Sequence, residues 1–130
     1  MFPHSHCVLL VDDDSDVRET MSFVLESAGY CVCTAANGLE ALEHLRAEEV
    51  PCLILLDLMM PVMNGWQFRA EQRRDPKVAT IPLIVVTGAG QAAQKAESLG
   101  AAGVLEKPVE LAALLSTVQR YCEATVPGPE

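Results

Sequence analysis

The run Cys52-Leu53-Ile54-Leu55-Leu56, broken at once by Asp57, decides the fold. Five apolar residues without a polar interruption match a strand covered on both faces, as in a parallel sheet flanked by helices. Two other runs share its form. Val8 to Val11 stops at Asp12, Asp13 and Asp14, and Pro82 to Val86 stops at Thr87. Working outward from these three, Tyr30 to Thr34 reads as a strand from its β-branched and aromatic content. Val104 to Glu106 reads as a short fifth strand, followed by Lys107-Pro108.

Helical periodicity fills the intervals. Val17, Met21, Val24, Leu25 and Ala28 fall on one stripe, with Asp14 or Ser15 as cap and Gly29 as stop. Asn37-Gly38 opens a second helix with Ala41, Leu42 and Leu45 inward. A third carries Trp66 and Phe68 as packing residues and ends near Arg73-Arg74, although Gln72 and Arg73 dilute its apolar stripe. A fourth spans about Gln91 to Leu99, and a fifth packs Leu111, Leu114, Leu115 and Val118. Strand–helix alternation implies an α/β fold with right-handed crossovers. The three most apolar strands belong at the centre, which gives the order 2-1-3-4-5 with helices on both faces. Residues 1–6 read as a tail, 7–122 as one domain, and 123–130 as a disordered tail.

Such sheets bind ligands at the carboxyl ends of their strands, where the winding reverses. That point lies between strands one and three and gathers Asp12, Asp13 and Asp57. Thr87 and Lys107 end strands four and five on the same edge. Clustered carboxylates repel one another unless a cation joins them, and all-oxygen ligation suits Mg²⁺. A cation, a hydroxyl and an ammonium are also what a phosphoryl group requires, and aspartate can act as its nucleophile. Taken singly, each residue has a plainer reading: the aspartates as a solvated turn and helix cap, Thr87 and Lys107 as structural or solvent-facing.

Composition narrows the function. Eighteen acidic residues against 9 basic leave a formal charge of −9, which argues against a sequence-independent grip on nucleic acid. No stretch approaches the ~20 apolar residues of a membrane span, and MFPHSH does not open a signal peptide. The cysteines, 5 in number, show no paired spacing, so the expectation is free thiols in a reducing compartment, the cytoplasm. Cys31 and Cys33 could offer a soft metal two sulfurs, but core packing is the simpler reading. His4, His6 and Cys7 read as part of a mobile N-terminal segment.

In LLVDDD, in LDLMMPVMNG around Asp57, in VVTG at Thr87 and in LEKP at Lys107, the chain resembles the response-regulator receiver domains of two-component signalling. The likeness covers about residues 7 to 122 and implies a flavodoxin-like doubly wound sheet with five helices. It also implies that Asp57 is the phospho-acceptor and that Mg²⁺ is held by Asp13, by Asp57, by the backbone carbonyl of Met59 and, mostly through water, by Asp12. It further implies a cis Lys107–Pro108 bond, phosphohistidine donors on a histidine kinase or histidine phosphotransfer protein, a downstream protein target, and dimerisation through the fourth and fifth units on phosphorylation. Such a domain is a switch that catalyses its own phosphorylation and dephosphorylation, rather than a turnover enzyme.

Some residues depart from the family pattern. Val104 stands where receivers often carry Tyr or Phe, so activation is expected to shift loop and helix-four positions without an aromatic switch. Met59 and Ala89 cannot orient attacking water by a strong hydrogen bond, so slow self-hydrolysis is expected. Gly88 replaces a common alanine, keeping the approach to phosphate open while loosening the loop. Two other function classes lack the residues they need. A flavin-binding module would need a phosphate cradle where three aspartates stand, and a hydrolase with an aspartyl-phosphate intermediate would need a second acid where Leu58 and Met59 stand.

Overall fold

A computed structural model describes residues 7–47, 50–88 and 92–122. Five strands and five helices alternate: β1 (Cys7–Val11), α1 (Ser15–Ser27), β2 (Cys31–Ala35), α2 (Gly38–Ala47), β3 (Leu53–Asp57), α3 (Gly65–Arg74), β4 (Leu83–Thr87), α4 (Ala92–Leu99), β5 (Gly103–Glu106) and α5 (Leu111–Tyr121). All strand pairs are parallel, in the order β2-β1-β3-β4-β5. Both proposed tails and Ala89 fall outside the described residues.

Period-two alternation along the central strands feeds two cores. Leu9, Val11, Ile54, Leu56, Leu83 and Val85 face one way, toward Leu42 and Leu45 of α2, Phe68 of α3 and Leu99 of α4. Val8, Leu10, Leu53, Leu55, Ile84 and Val86 face the other way, toward Met21 and Leu25 of α1 and Leu114 and Val118 of α5. This two-sided burial is why the three runs contain no polar residue. The edge strand β2 has fewer neighbours, and its sequence mixes exposed and half-buried positions.

The helix ends are chemically specified. Asp14 caps α1 by accepting from the N–H groups of Asp16 and Val17. At the other end the Gly29 N–H donates to the Glu26 carbonyl and the Tyr30 N–H to the Leu25 carbonyl. That pair of bonds is a Schellman stop, and its glycine sits at φ 98°. Asn64 and Gln67 exchange hydrogen bonds of 2.9 Å in a capping box that starts α3.

Polar residues on α3 prove to be part of the interior. Arg69 is buried and donates from Nε to the Leu99 carbonyl at 2.9 Å, and from Nη2 to the Gly100 carbonyl at 2.9 Å. Its Nη1 donates to Gln72 Oε1 at 2.7 Å. Gln72, also buried, donates to the carbonyls of Val78 and Ile81. Of the two residues expected to dilute the stripe, Gln72 thus satisfies carbonyls in the loop before β4 while Arg73 is exposed, and Arg69 serves the end of α4. Burial, and then the charge of Arg73, lowers the Arg69 pKa.

Three packing expectations need correction. Trp66 is 37% exposed while Phe68 is fully buried, because two residues along a helix differ by about 200° and cannot share a face. Leu111 is 50% exposed; it borders an open hollow between the entries of α1 and α5. Ala28 caps α1 on the exposed side instead of joining its inner stripe.

The cysteines also differ from expectation. Cys7 is bonded to Cys31 and Cys52 to Cys122, with Cys33 outside both disulfides. Spacing could not reveal these pairs, since they form only where parallel register sets Cys7 opposite Cys31 and where α5 returns to the start of β3. Cys31 is accordingly an exposed, bridged residue and not a core thiol.

Candidate functional site

The carboxyl ends of β1, β3, β4 and β5 place Asp12, Asp57, Thr87 and Lys107 on one edge. Asp12, just past β1, is 1% exposed, and Asp57, the last residue of β3, is 5% exposed. Asp13 projects into the exposed zone beside them. One carboxylate oxygen from each of the three lies within 4.8 Å of the others, and they are the one such metal-competent group among the described residues. The Lys107 ammonium reaches across to Asp12 Oδ2 at 3.1 Å and to Asp57 Oδ2 at 3.6 Å.

The surrounding backbone fixes these positions. Asp12 Oδ1 accepts from the Asp14 N–H at 2.9 Å, and the Asp12 carbonyl accepts from Arg18 Nη1 at 2.6 Å. Asp57 Oδ1 accepts from the Met59 N–H at 3.3 Å. The Lys107 N–H donates to the Thr87 carbonyl at 3.0 Å, which ties β5 to β4 at the pocket. The Lys107–Pro108 bond is cis, as expected. Thr87 is buried, one position past Val86, the register partner of Asp57.

Gly65 belongs to this scaffold, outside the sequence-predicted site residues. Its N–H donates to the Leu58 carbonyl at 3.0 Å. A Cβ there would lie 2.6 Å from Leu58 Cδ2 and 2.9 Å from Leu58 Cα. Only a hydrogen lets the start of α3 lie this close to the chain leaving Asp57. Such a close approach has no signature in one sequence beyond the glycine itself.

Electrostatics make the pocket costly as it stands. Burial, and then the charge of Asp12, raises the Asp57 pKa from 3.8 to about 6, although Lys107 and the Met59 N–H pull it down. Burial alone would lower the Lys107 pKa, but hydrogen bonding to Asp12 and the charges of Asp57 and Asp12 outweigh it, and the net shift is upward. One ammonium facing three acids leaves an excess of negative charge on hard oxygen donors. That is the donor set a small divalent cation requires.

The chain is thus an α/β domain of the doubly wound class, with acids and an ammonium at its switch point. The chain belongs to the response regulator receiver domain family, which it matches over residues 8–119; it is a receiver domain of two-component signalling. An uncharacterized 14.6 kDa protein of Leptolyngbya boryana is 38% identical over 122 residues, covering 92% of both chains. The chemotaxis response regulator CheY4 of Vibrio cholerae is 35% identical with TM-score 0.81, covering 90% of this chain and 98% of that one. The receiver domain of the sensor histidine kinase PA1611 of Pseudomonas aeruginosa, 28% identical with TM-score 0.81, covers 90% and 97%, and carries a magnesium ion in its active-site cleft. Against several transcriptional regulators the chain spans about half the relative's length.

Proposed function

We propose that Asp57 accepts a phosphoryl group from a phosphohistidine on a histidine kinase or histidine phosphotransfer protein, with Mg²⁺ held by Asp12, Asp13, Asp57 and the backbone carbonyl of Met59. The observation that carries this reading is the Lys107 ammonium set between Asp12 at 3.1 Å and Asp57 at 3.6 Å, beside three acid oxygens within 4.8 Å of one another. When bound, the cation neutralises charge on the transferring phosphoryl oxygens.

The chain's own groups do the rest. With a pKa of about 6, Asp57 is mostly a carboxylate at neutral pH, the form that can attack. Its oxygen bonds to phosphorus as the phosphorus–nitrogen bond breaks, and that electron pair leaves on the imidazole. Lys107 exchanges its contact with Asp57 for a phosphoryl oxygen, and the Thr87 hydroxyl donates to another. The product is an acyl phosphate on the chain itself, so the domain switches and does not turn over an external substrate. The Met59 side chain is 64% exposed beside Asp57 and offers water no strong hydrogen bond; the phosphoryl group therefore leaves slowly.

Signalling then passes to a protein target. We assign the chain to the cytoplasm on its family alone, since the two bridges remove the free-thiol argument for a reducing compartment. We give it no nucleic-acid or membrane partner of its own, and infer that the phosphorylated form dimerises through its fourth and fifth units. No helix among the described residues is long and apolar enough to cross a membrane. Val104 is half-buried and packs against the core that holds Ala96 and Leu99 of α4. Activation accordingly moves α4 without a turning ring. Incubation with a small acyl phosphate tests the reading: an acid-stable, base-labile phosphate should form with Mg²⁺ and fail to form with chelator. Equal labelling in both would remove the metal from the proposal.

A further inference from the structure

The opposite edge of the sheet carries a second kind of chemistry. Cys7 and Cys31 are register partners on adjacent strands, bridged with Cα atoms 4.3 Å apart. Cys52 precedes β3 and is bridged to Cys122, just past α5, at a Cα separation of 5.7 Å. The two bridges adjoin: the Cys52 N–H donates to the Cys7 carbonyl at 2.9 Å, and the Cys52 sulfur lies 3.2 Å from that oxygen.

Their surroundings differ sharply. Cys122 is 5% exposed within the core beneath α1 and α5, and Cys52 is half-buried against the same core, so neither sulfur of this bridge stands on an exposed residue. Cys31 is exposed on the edge strand, and its bridge lines a cleft of about 220 Å³ together with Leu9, Cys33, His44 and Pro51. Access of an attacking thiolate to a disulfide sulfur governs exchange, and exposed bridges are the labile ones.

We propose that the Cys7–Cys31 bridge is a thiol–disulfide exchange site for a small-molecule thiol or dithiol seated in this cleft, while Cys52–Cys122 is a shielded structural bridge. The incoming thiolate bonds to Cys31 Sγ, and the sulfur–sulfur electron pair leaves on Cys7 Sγ, which takes a proton from solvent. A monothiol stops there as a mixed disulfide on Cys31. A dithiol continues: its second thiolate attacks its own sulfur in the mixed disulfide, closing the reductant's ring and releasing Cys31 as a thiol. The reductant loses two electrons and the bridge gains them. Attack falls on Cys31 because Cys7 is half-buried. Opening the bridge removes the covalent tie between β1 and β2, at the end of β1 remote from Asp12, and leaves their ladder as the remaining link.

The test uses the full chain purified without reductant, incubated over a dithiothreitol series, quenched by alkylation and mapped by peptide mass. Cys7 and Cys31 should become alkylated at a dithiothreitol concentration about tenfold below that needed for Cys52 and Cys122. With glutathione, the adduct should sit on Cys31. Alkylation of all four cysteines before any reductant is added would overturn the proposal. So would opening of both bridges at one concentration, prior opening of Cys52–Cys122, or an adduct confined to Cys7.

Discussion

The two ends of the central sheet are built on opposite terms. At the carboxyl ends, Asp12 and Asp57 are buried beside one another with Lys107 between them, and the raised Asp57 pKa shows that the carboxylate is disfavoured there. At the amino ends, two disulfides and apolar packing join β1, β2, β3 and α5. One end crowds three acids around a single ammonium; the other ties strands together covalently. The same strands, β1 and β3, carry both ends, one at each terminus.

Substitutions at each end should separate chemistry from stability. The largest effect is expected at Lys107. Lys107→Met removes a donor aimed at the transferring group, and phosphorylation by a small acyl phosphate with Mg²⁺ should slow by about 10²–10³-fold. A labelling rate within a factor of a few of wild type would show that the ammonium does not serve the transfer. At the other end, Cys52→Ser with Cys122→Ser opens a loop of sequence separation 70. It should cost ~2–4 kcal/mol in denaturant unfolding while leaving the Mg²⁺-dependent labelling rate nearly unchanged. A large loss of labelling in the folded variant would erase the division between the ends.

The pH dependence sharpens the contrast further. Because the folded pKa of Asp57 lies above its ordinary value, folded protein binds the proton more tightly than unfolded protein between 3.8 and about 6. Metal-free stability from this group therefore falls as pH rises through that window, by ~2–3 kcal/mol at most. Asp57→Asn should unfold at a higher temperature than wild type at pH 7.5 in chelator, and the advantage should shrink toward pH 4. An advantage that does not vary with pH would assign the effect to something other than the carboxylate charge. The smallest effect concerns Met59: Met59→Asn should shorten the phosphoryl lifetime severalfold, read as loss of label after donor removal, and an unchanged lifetime would refute the role given to that position.

The fold was legible because three strands are buried on both faces, leaving runs such as Leu53–Leu56 with no polar residue to misplace. Strand order followed from the same burial, and with it the meeting of Asp12, Asp13, Asp57 and Lys107. What escaped the reading depends on tertiary approach. Arg69 and Gln72 look like surface residues until the carbonyls of Leu99, Gly100, Val78 and Ile81 are seen to need them. Gly65 carries no signal of its own until Leu58 is found against it. The cysteine pairs have no local signature, because 24 and 70 residues separate their members. Trp66 stays exposed for a simpler reason: its angle on the helix differs from that of the buried Phe68 by about 200°.

The identity of the nucleophile is the claim on which the rest turns. Wild type and Asp57→Asn, each treated with a small acyl phosphate and Mg²⁺, can be compared by intact mass and by mapping the phosphorylated peptide. The account predicts one added phosphoryl group in wild type, on the peptide containing Asp57, and none in the variant. Equal labelling of a folded Asp57→Asn chain, or a wild-type label on any other peptide, would contradict it.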